Sequence, residues 1–206
     1  MHDLCCIGHI TLDKIVTPKN TVHMAGGTAF YFSHAIKHFN DIDYSLITAL
    51  AESEMKEVDK LRSEGIDVAV MPSKHSVYFE NIYGENQDNR TQRVLAKADP
   101  FTVDYLKDIQ AKIIHLGSLL ADDFSLDVVK YMAEKGLVSA DSQGYLREVR
   151  DKKVYAVDYN RAQAAQRDQY FFYSPFIHFQ CSTDNIVVAC EHFHFMFVCF
   201  QKMDIF

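Results

Sequence analysis

All eight glycines and all thirteen leucines of this 206-residue chain lie before residue 147, whereas nine of its fifteen phenylalanines and three of its five cysteines fall within residues 160–206. Glycine supplies the left-handed dihedrals and the close backbone approaches that ligand-facing turns need. Whatever the chain builds from such turns must therefore come from its first 146 residues. The distribution divides the chain into two unlike pieces: 1–159, ordinary globular sequence, and 160–206, an atypical Phe/Cys/His-rich tail.

A hydrophobic content of 48% with 24% charged residues and no long single-sign block supports one α/β domain, or a domain with an appendage. The formal net charge of −7 offers no basic face to a phosphate backbone, so nucleic acid is not an expected partner. The start, Met1-His2-Asp3-Leu4-Cys5-Cys6, lacks the basic patch and apolar run of a secretory signal, and a cytoplasmic location is expected. Residues 186–200 are interrupted by Glu191, His192 and His194 and are too short to cross a bilayer, so no membrane partner is expected. An odd number of cysteines without a signal suits reduced thiols. Cys5 and Cys6, adjacent on a predicted strand, point to opposite faces as small core residues.

The apolar run 3–8 ending in Gly8 predicts a buried first strand, and 12–16 and 22–25 predict two short extended segments split by Pro18. Gly26-Gly27 stops the extended chain, and the spacing from Thr28 predicts a helix ending near Asn40. A strand at 44–49, a helix at 52–64 closed by Gly65 and a strand at 66–71 follow in a β-α-β rhythm. Residues 76–83 and 91–96 flank a polar turn and predict a hairpin. After Pro100 come a helix at 103–109, a strand at 112–116, a helix at 125–135 between Ser125 and Gly136, and a strand at 137–140. Strands alternating with helices predict a parallel sheet covered on both faces. The segments near 12–25 and 76–96 do not fit that alternation, and pair with each other as a small β lid.

Asp13 follows the first strand in Ile7-Gly8-His9-Ile10-Thr11-Leu12-Asp13. Strand ends are where ligands bind in parallel α/β sheets, and a carboxylate there can accept hydrogen bonds from two hydroxyls of a polyol; position alone favours a solvated turn aspartate instead. Gly26-Gly27 lets backbone approach a ligand closely, or permits a tight turn. Ser118, Asp122, Asp123 and His115 suggest a hydrolase, but no Gly-x-Ser-x-Gly elbow occurs, and Asp122 and Asp123 read as turn residues. A dinucleotide-binding oxidoreductase is set aside because Gly8 is followed by His9-Ile10 rather than by a second spaced glycine.

The order of these signals resembles the ribokinase-like, or PfkB, family of carbohydrate and nucleoside kinases. The resemblance rests on Cys6-Ile7-Gly8 with Asp13, on residues 24–29 (MAGGTA), on 76–81 (SVYFEN), on 114–117 (IHLG) and on 138–147 (VSADSQGYLR), and covers residues 1–159. It implies a ribokinase-like three-layer sandwich with a mostly parallel sheet and a small β lid, the C-terminal half being missing or replaced. It implies ATP-dependent phosphoryl transfer, with Mg2+, to a hydroxyl of a small sugar or nucleoside-like substrate. Asp13 binds sugar hydroxyls, Gly26 and Gly27 form the hinge of lid closure, and the lid supplies Tyr78 or Asn81, the choice between them being open. Asp141 and Arg147 lie near the substrate or phosphates, against the alternative of a turn with a solvated arginine.

Two departures from the family pattern follow. Tyr31 stands where many members place a sugar-binding asparagine, and a phenol cannot copy an amide's paired donor and acceptor. The family's Asn-x-x-Glu motif and its Gly-Ala-Gly-Asp anion hole with the catalytic aspartate are absent, and no glycine follows Gly144. Phosphoryl transfer needs positioned charge at the γ-phosphate and a base. This chain is expected to be truncated and inactive alone, with no catalytic residue assigned. The rival reading is a non-catalytic sugar-binding or regulatory, subunit-interaction module.

In the tail, Cys190, His192 and His194 alternate with Cys199 nearby, but the spacing matches no common closed zinc site, and no metal site is expected. The abrupt loss of glycine and leucine suits a shifted reading frame or a mis-assigned gene end near 159. A half sheet ending there exposes an edge strand and apolar surface, so self-association, for example as a homodimer, is expected.

Overall fold

The protein is described by a computed structural model covering residues 1–39, 41–141, 143–157, 177–182, 185–190 and 196–198. It divides into two units, Met1–Ala162 and Gln163–Phe206. The first strand, β1 (His2–Gly8), is apolar on both sides from Leu4 to Ile7 and so requires cover on both faces. It lies at the centre of a sheet.

Its neighbours are β4 (Tyr44–Leu50) and β8 (Ala111–Gly117), and β5 (Asp67–Pro72) and β9 (Leu137–Ala140) form the edges. Every pairing in the order β5-β4-β1-β8-β9 is parallel. Two helices, α1 (Thr28–Ile36) and α2 (Met55–Ser63), cover one face: Ala29, Val58 and Leu61 pack with Cys6, Leu46 and Val68 into a common core. On the other face Cys5 and Ile47 border Tyr105 of α3 (Val103–Leu106), which packs against α4 (Leu126–Lys135). Cys5 and Cys6 are both fully buried thiols on opposite sides of β1. Burial of each large aliphatic side chain of this core, such as Leu46 or Leu61, stabilises the fold by roughly 1.5–3 kcal/mol.

Helix ends follow local chemistry. Ser125 Oγ accepts the Val128 N–H at the start of α4, and Gly136 follows its last turn. The helix α1 closes at Ile36, short of Asn40, where the Lys37 N–H donates to Ser33 O. The helix after Pro100 is a single turn, ending at Leu106 rather than Ile109.

A second, six-stranded sheet has the order β10-β11-β7-β6-β2-β3, from β2 (Thr11–Val16), β3 (Thr21–Gly26), β6 (Val77–Tyr83), β7 (Arg90–Ala96), β10 (Arg147–Arg150) and β11 (Lys153–Ala156). The hairpin 147–156 was not anticipated from sequence. Its turn, Asp151-Lys152, holds two non-glycine residues at φ 47° and 66°, so it lacks the Asn-Gly signature of such turns. In the second unit, β12 (Ile177–Ser182), β13 (Asn185–Cys190) and β14 (Met196–Val198) form an antiparallel sheet. The side chains of Cys190, His192, His194 and Cys199 lie outside the described residues.

Candidate functional site

From β1 the chain goes to β4 and β5 on one side and later to β8 and β9 on the other, so the sheet's topological switch lies between β1 and β8. Ligands bind such sheets beyond the carboxyl ends of the strands at that point. Here Gly8 is opposite Gly117, so close that an added Cβ on Gly8 would lie 3.1 Å from Gly117 O. The start of α1 fills the same corner, and Thr28 Oγ1 donates to Asp141 Oδ2 at 2.8 Å.

The turn that carries the chain from β1 to β2 is pinned to the main sheet. Ile10 N donates to Thr48 Oγ1 at 3.0 Å, and the buried His9 contacts Ala49 O through Nδ1 at 3.2 Å while stacking on Phe101 at 4.6 Å. Its Nε2 lies 3.5 Å from Asp123 Oδ1, without hydrogen-bond alignment. The other oxygen of Asp123 accepts the Leu119 and Leu120 N–H groups, the work of a turn carboxylate rather than of a hydrolase. Sequence reasoning did not single out His9; only its burial reveals that it anchors the entry to β2.

Asp13 is therefore delivered on a fixed strand, half-buried, with Thr11 Oγ1 donating to its Oδ1 at 2.8 Å. Its Oδ2 occupies the space above Gly26, where a Cβ would come within 2.5 Å. Removal from water raises the Asp13 pKa; the Thr11 hydrogen bond and the positive fields of Arg90 and Arg147 oppose that rise. Gly27, the N-cap of α1, sits at φ 89°, ψ 158°, a region open to glycine alone.

Register decides which lid residues share Asp13's face. Asp13 pairs with Phe79 on one side and Met24 on the other, and on the β6/β7 hairpin Asn81 pairs with Gln92 and Tyr83 with Arg90. Paired residues lie on the same face and alternate along a strand. Asn81, Gln92, Tyr83 and Arg90 therefore share the Asp13 face, whereas Tyr78, paired with Leu12, lies on the opposite one. Asn81 is buried, and its Oδ1 accepts from Gln92 Nε2 at 2.8 Å. On the far edge, Arg147 pairs with Ala156 in the same alternation as Val149 and Val154, which pack with Phe79, Val94, Leu119 and Leu120. Its Nη1 donates to Leu119 O at 3.4 Å, and a cleft of about 290 Å³ opens beside it toward Leu120 and Asp122.

Tyr31 stands on α1 and is 38% exposed; its pKa is raised first by burial and then by the charge of Asp13, with Tyr83 adding to the effect. Asp13, Gly26, Asn81 and Arg147 thus share one face of the second sheet, and the charge of Asp13 acts on the Tyr31 phenol. Asp141 reaches that region only through Thr28, and Tyr78 lies on the opposite face. Tyr83, Arg90 and Gln92 are additions; the predicted hairpin alternation contained them, but not the choice of face.

Among the described residues no group of three or more His, Cys, Asp or Glu is arranged to hold a metal ion. No helix among them is long and apolar enough to cross a membrane.

The chain is similar to a pyrophosphate-dependent kinase in the ribokinase family solved as its sulfate complex, with a TM-score of 0.72 at 19% identity over 95% of this chain and 78% of that one. The same class of enzyme complexed with a pyrophosphate analog and myo-inositol aligns with a TM-score of 0.71 at 18% identity over 95% and 77% of the two chains. A Burkholderia thailandensis nucleoside kinase in complex with inosine aligns with a TM-score of 0.55 at 17% identity over 69% and 53%. No protein-family model and no curated protein sequence matches the chain. A parallel sheet switching direction at β1, with a second β-sheet rising from its ligand edge, gives this chain the ribokinase-like fold.

Proposed function

We propose that residues 1–159 are the acceptor-binding part of a PfkB-like carbohydrate kinase, taking a small sugar or nucleoside-like polyol through Asp13. The observation that supports this reading is a half-buried carboxylate beyond the end of β1, on the same face of the second sheet as Asn81, whose charge acts on the Tyr31 phenol. A carboxylate there accepts two hydroxyl protons, and exclusion of water strengthens each bond. Gly26 and Gly27 supply the hinge between the sheets, and closure of the second sheet over the acceptor sequesters it. Asp141, tied to Thr28, positions the start of α1.

ATP with Mg2+ is the donor system of the fold's nucleotide-dependent members. In this chain the glycine-free sequence after Gly144 leaves no backbone cradle for a transferring phosphoryl group, and no Asn-x-x-Glu is present. The chain accordingly binds acceptor without transferring phosphate to it, in the cytoplasm, as a truncated form. The same sequence feature favours a second reading, a sugar-binding regulatory module whose tail is native. Self-association through exposed strand edges belongs to either reading, and a concentration-independent monomer in sedimentation would reject it.

Calorimetry on the full chain with pentoses, hexoses, inositol and nucleosides, beside an MgATP titration, tests the proposal. At least one polyol should bind, with affinity reduced about tenfold or more by Asp13→Ala, and MgATP should not bind. Absence of binding by every polyol rejects the site, and ATP turnover by pure chain rejects the truncated reading.

A further inference from the structure

The turn between β1 and β2 buries an imidazole against a carboxylate. His9 is 1% exposed, and Asp123, on the loop that follows β8, is 4% exposed. His9 Nδ1 lies 3.2 Å from Ala49 O, and a carbonyl oxygen only accepts, so Nδ1 carries a proton. Nε2 is then the atom turned toward Asp123 Oδ1, 3.5 Å away, with no hydrogen-bond partner of its own. Phe101 stacks on the ring and Thr48 Oγ1 accepts the Ile10 N–H, so neither supplies what Nε2 lacks.

A bare Nε2 in that position sets a lone pair against a carboxylate and leaves buried polar atoms unsatisfied. A proton on Nε2 turns the same contact from repulsion into attraction. Asp123 is the poorer place for that proton, because its Oδ2 accepts the Leu119 and Leu120 N–H groups at 2.7 and 2.9 Å, and two such donors favour the ionised carboxyl. Burial opposes an isolated imidazolium, whereas an ion pair leaves no net charge in the interior. The turn before β10 brings Tyr145 to the same carboxylate; its pKa is raised by burial and then by the charge of Asp123. Of the nearby cations, Lys97 is paired with Asp122 at 2.7 Å and Arg147 is bonded to Leu119 O at 3.4 Å.

The pair joins segments that are distant in sequence. Its imidazole stands two residues before β2, which begins at Thr11 and carries Asp13. Its carboxylate belongs to the loop whose Leu119 O holds Arg147, the first residue of β10. The Phe101 N–H donates to Asp123 O at 3.1 Å, so the segment after Pro100 is clamped at the same place. One proton therefore bears on both points at which the second sheet leaves the main one.

We propose that His9 and Asp123 form a proton-dependent latch: with Nε2 protonated, the ion pair fixes the start of β2 to the loop after β8, and loss of that proton to solvent releases it. The folded chain holds the proton through the pair and the unfolded chain does not, so the latch adds stability in mild acid that is lost as pH rises.

Nitrogen NMR of ring-labelled histidine in the full chain, titrated from pH 6 to 9, reads the proton directly. The His9 ring is assigned by its contact with Phe101 and by its absence from His9→Asn, whose amide can still donate to Ala49 O. Both ring nitrogens of His9 should be protonated at pH 6, Nε2 should lose its proton within the range, and folded Asp123→Asn should lose it at lower pH than wild type. In thermal melts the melting-temperature deficit of Asp123→Asn should be largest at pH 6 and shrink toward pH 9. A bare Nε2 at pH 6 in wild type overturns the inference. A ring doubly protonated throughout also overturns it, because the latch then never opens, and so does a deficit independent of pH. If neither variant folds, the wild-type titration decides alone, with the Phe101 contact as its assignment.

Discussion

Asp13 Oδ2 lies 2.5 Å from the position a Cβ on Gly26 would take, so the carboxylate and the glycine of the neighbouring strand occupy one space. The same substitution should act differently at the two adjacent glycines. Gly26→Ala requires the Asp13 side chain to move and Thr11 Oγ1, 3.1 Å from the new Cβ, to give slightly, and it should displace the carboxylate and abolish polyol binding with a change in stability of about 1 kcal/mol. Gly27→Ala meets the backbone oxygen of His9 at 2.5 Å in a conformation that non-glycine residues avoid. It should destabilise the fold by about 3 kcal/mol. Urea denaturation of the two variants checks the contrast, and equal losses would refute it.

Asp13 should be a stability liability that binding requires. Burial raises its pKa, so the folded state holds the proton more tightly than the unfolded state, and the ionised side chain disfavours folding above that raised value. Asp13→Asn should raise the melting temperature at pH 7. The gain should shrink as pH falls through the raised pKa and vanish below the ordinary carboxylate range, where the wild-type group is neutral in both states. Thermal melts from pH 3 to 8 measure this, with polyol affinity lost at every pH; a gain independent of pH would contradict it.

Glu80 should behave with the opposite sign. The Lys14 hydrogen bond, followed by the fields of Lys14 and Arg93, holds its carboxyl below the usual range. Its contribution is complete above the ordinary glutamate pKa and is lost as pH falls through the depressed folded value. Glu80→Gln should cost about 1–2 kcal/mol at pH 7. The difference from wild type should close in acid, and urea melts at pH 7 and pH 3 would show no such closing if the ion bridges were solvated ornaments.

The alternation of strands and helices from Leu4 to Ala140 was readable because period and punctuation are local properties: Gly8, Pro18, Gly65, Ser125 and Gly136 end or begin elements by their own dihedral and hydrogen-bonding preferences. Asp13 was readable as a candidate site residue only through the order of the motifs around it, since position alone favours a solvated turn aspartate. The hairpin 147–156 was not, since Asp151 and Lys152 are held at positive φ by the pairing of the flanking strands rather than by their own preference. His9 was equally hidden, because its partners Ala49, Phe101 and Asp123 are distant in sequence.

Composition and spacing alone determined that this chain alternates strand and helix, that it carries glycines only in its first 146 residues, and that Asp13 and the Gly26-Gly27 pair meet the end of a parallel sheet. Tertiary structure decided which lid residues look at Asp13. The choice between Tyr78 and Asn81, and the inward turn of Arg90, depend on the register of β6 against β2 and on the irregularity after Tyr78 that aligns β7. Register is a property of pairing between distant segments, and a slip of one residue moves every side chain of a strand to the other face. A local alternation of side chains can name the two faces of the lid, and only the assembled sheet can say which of them is the inside.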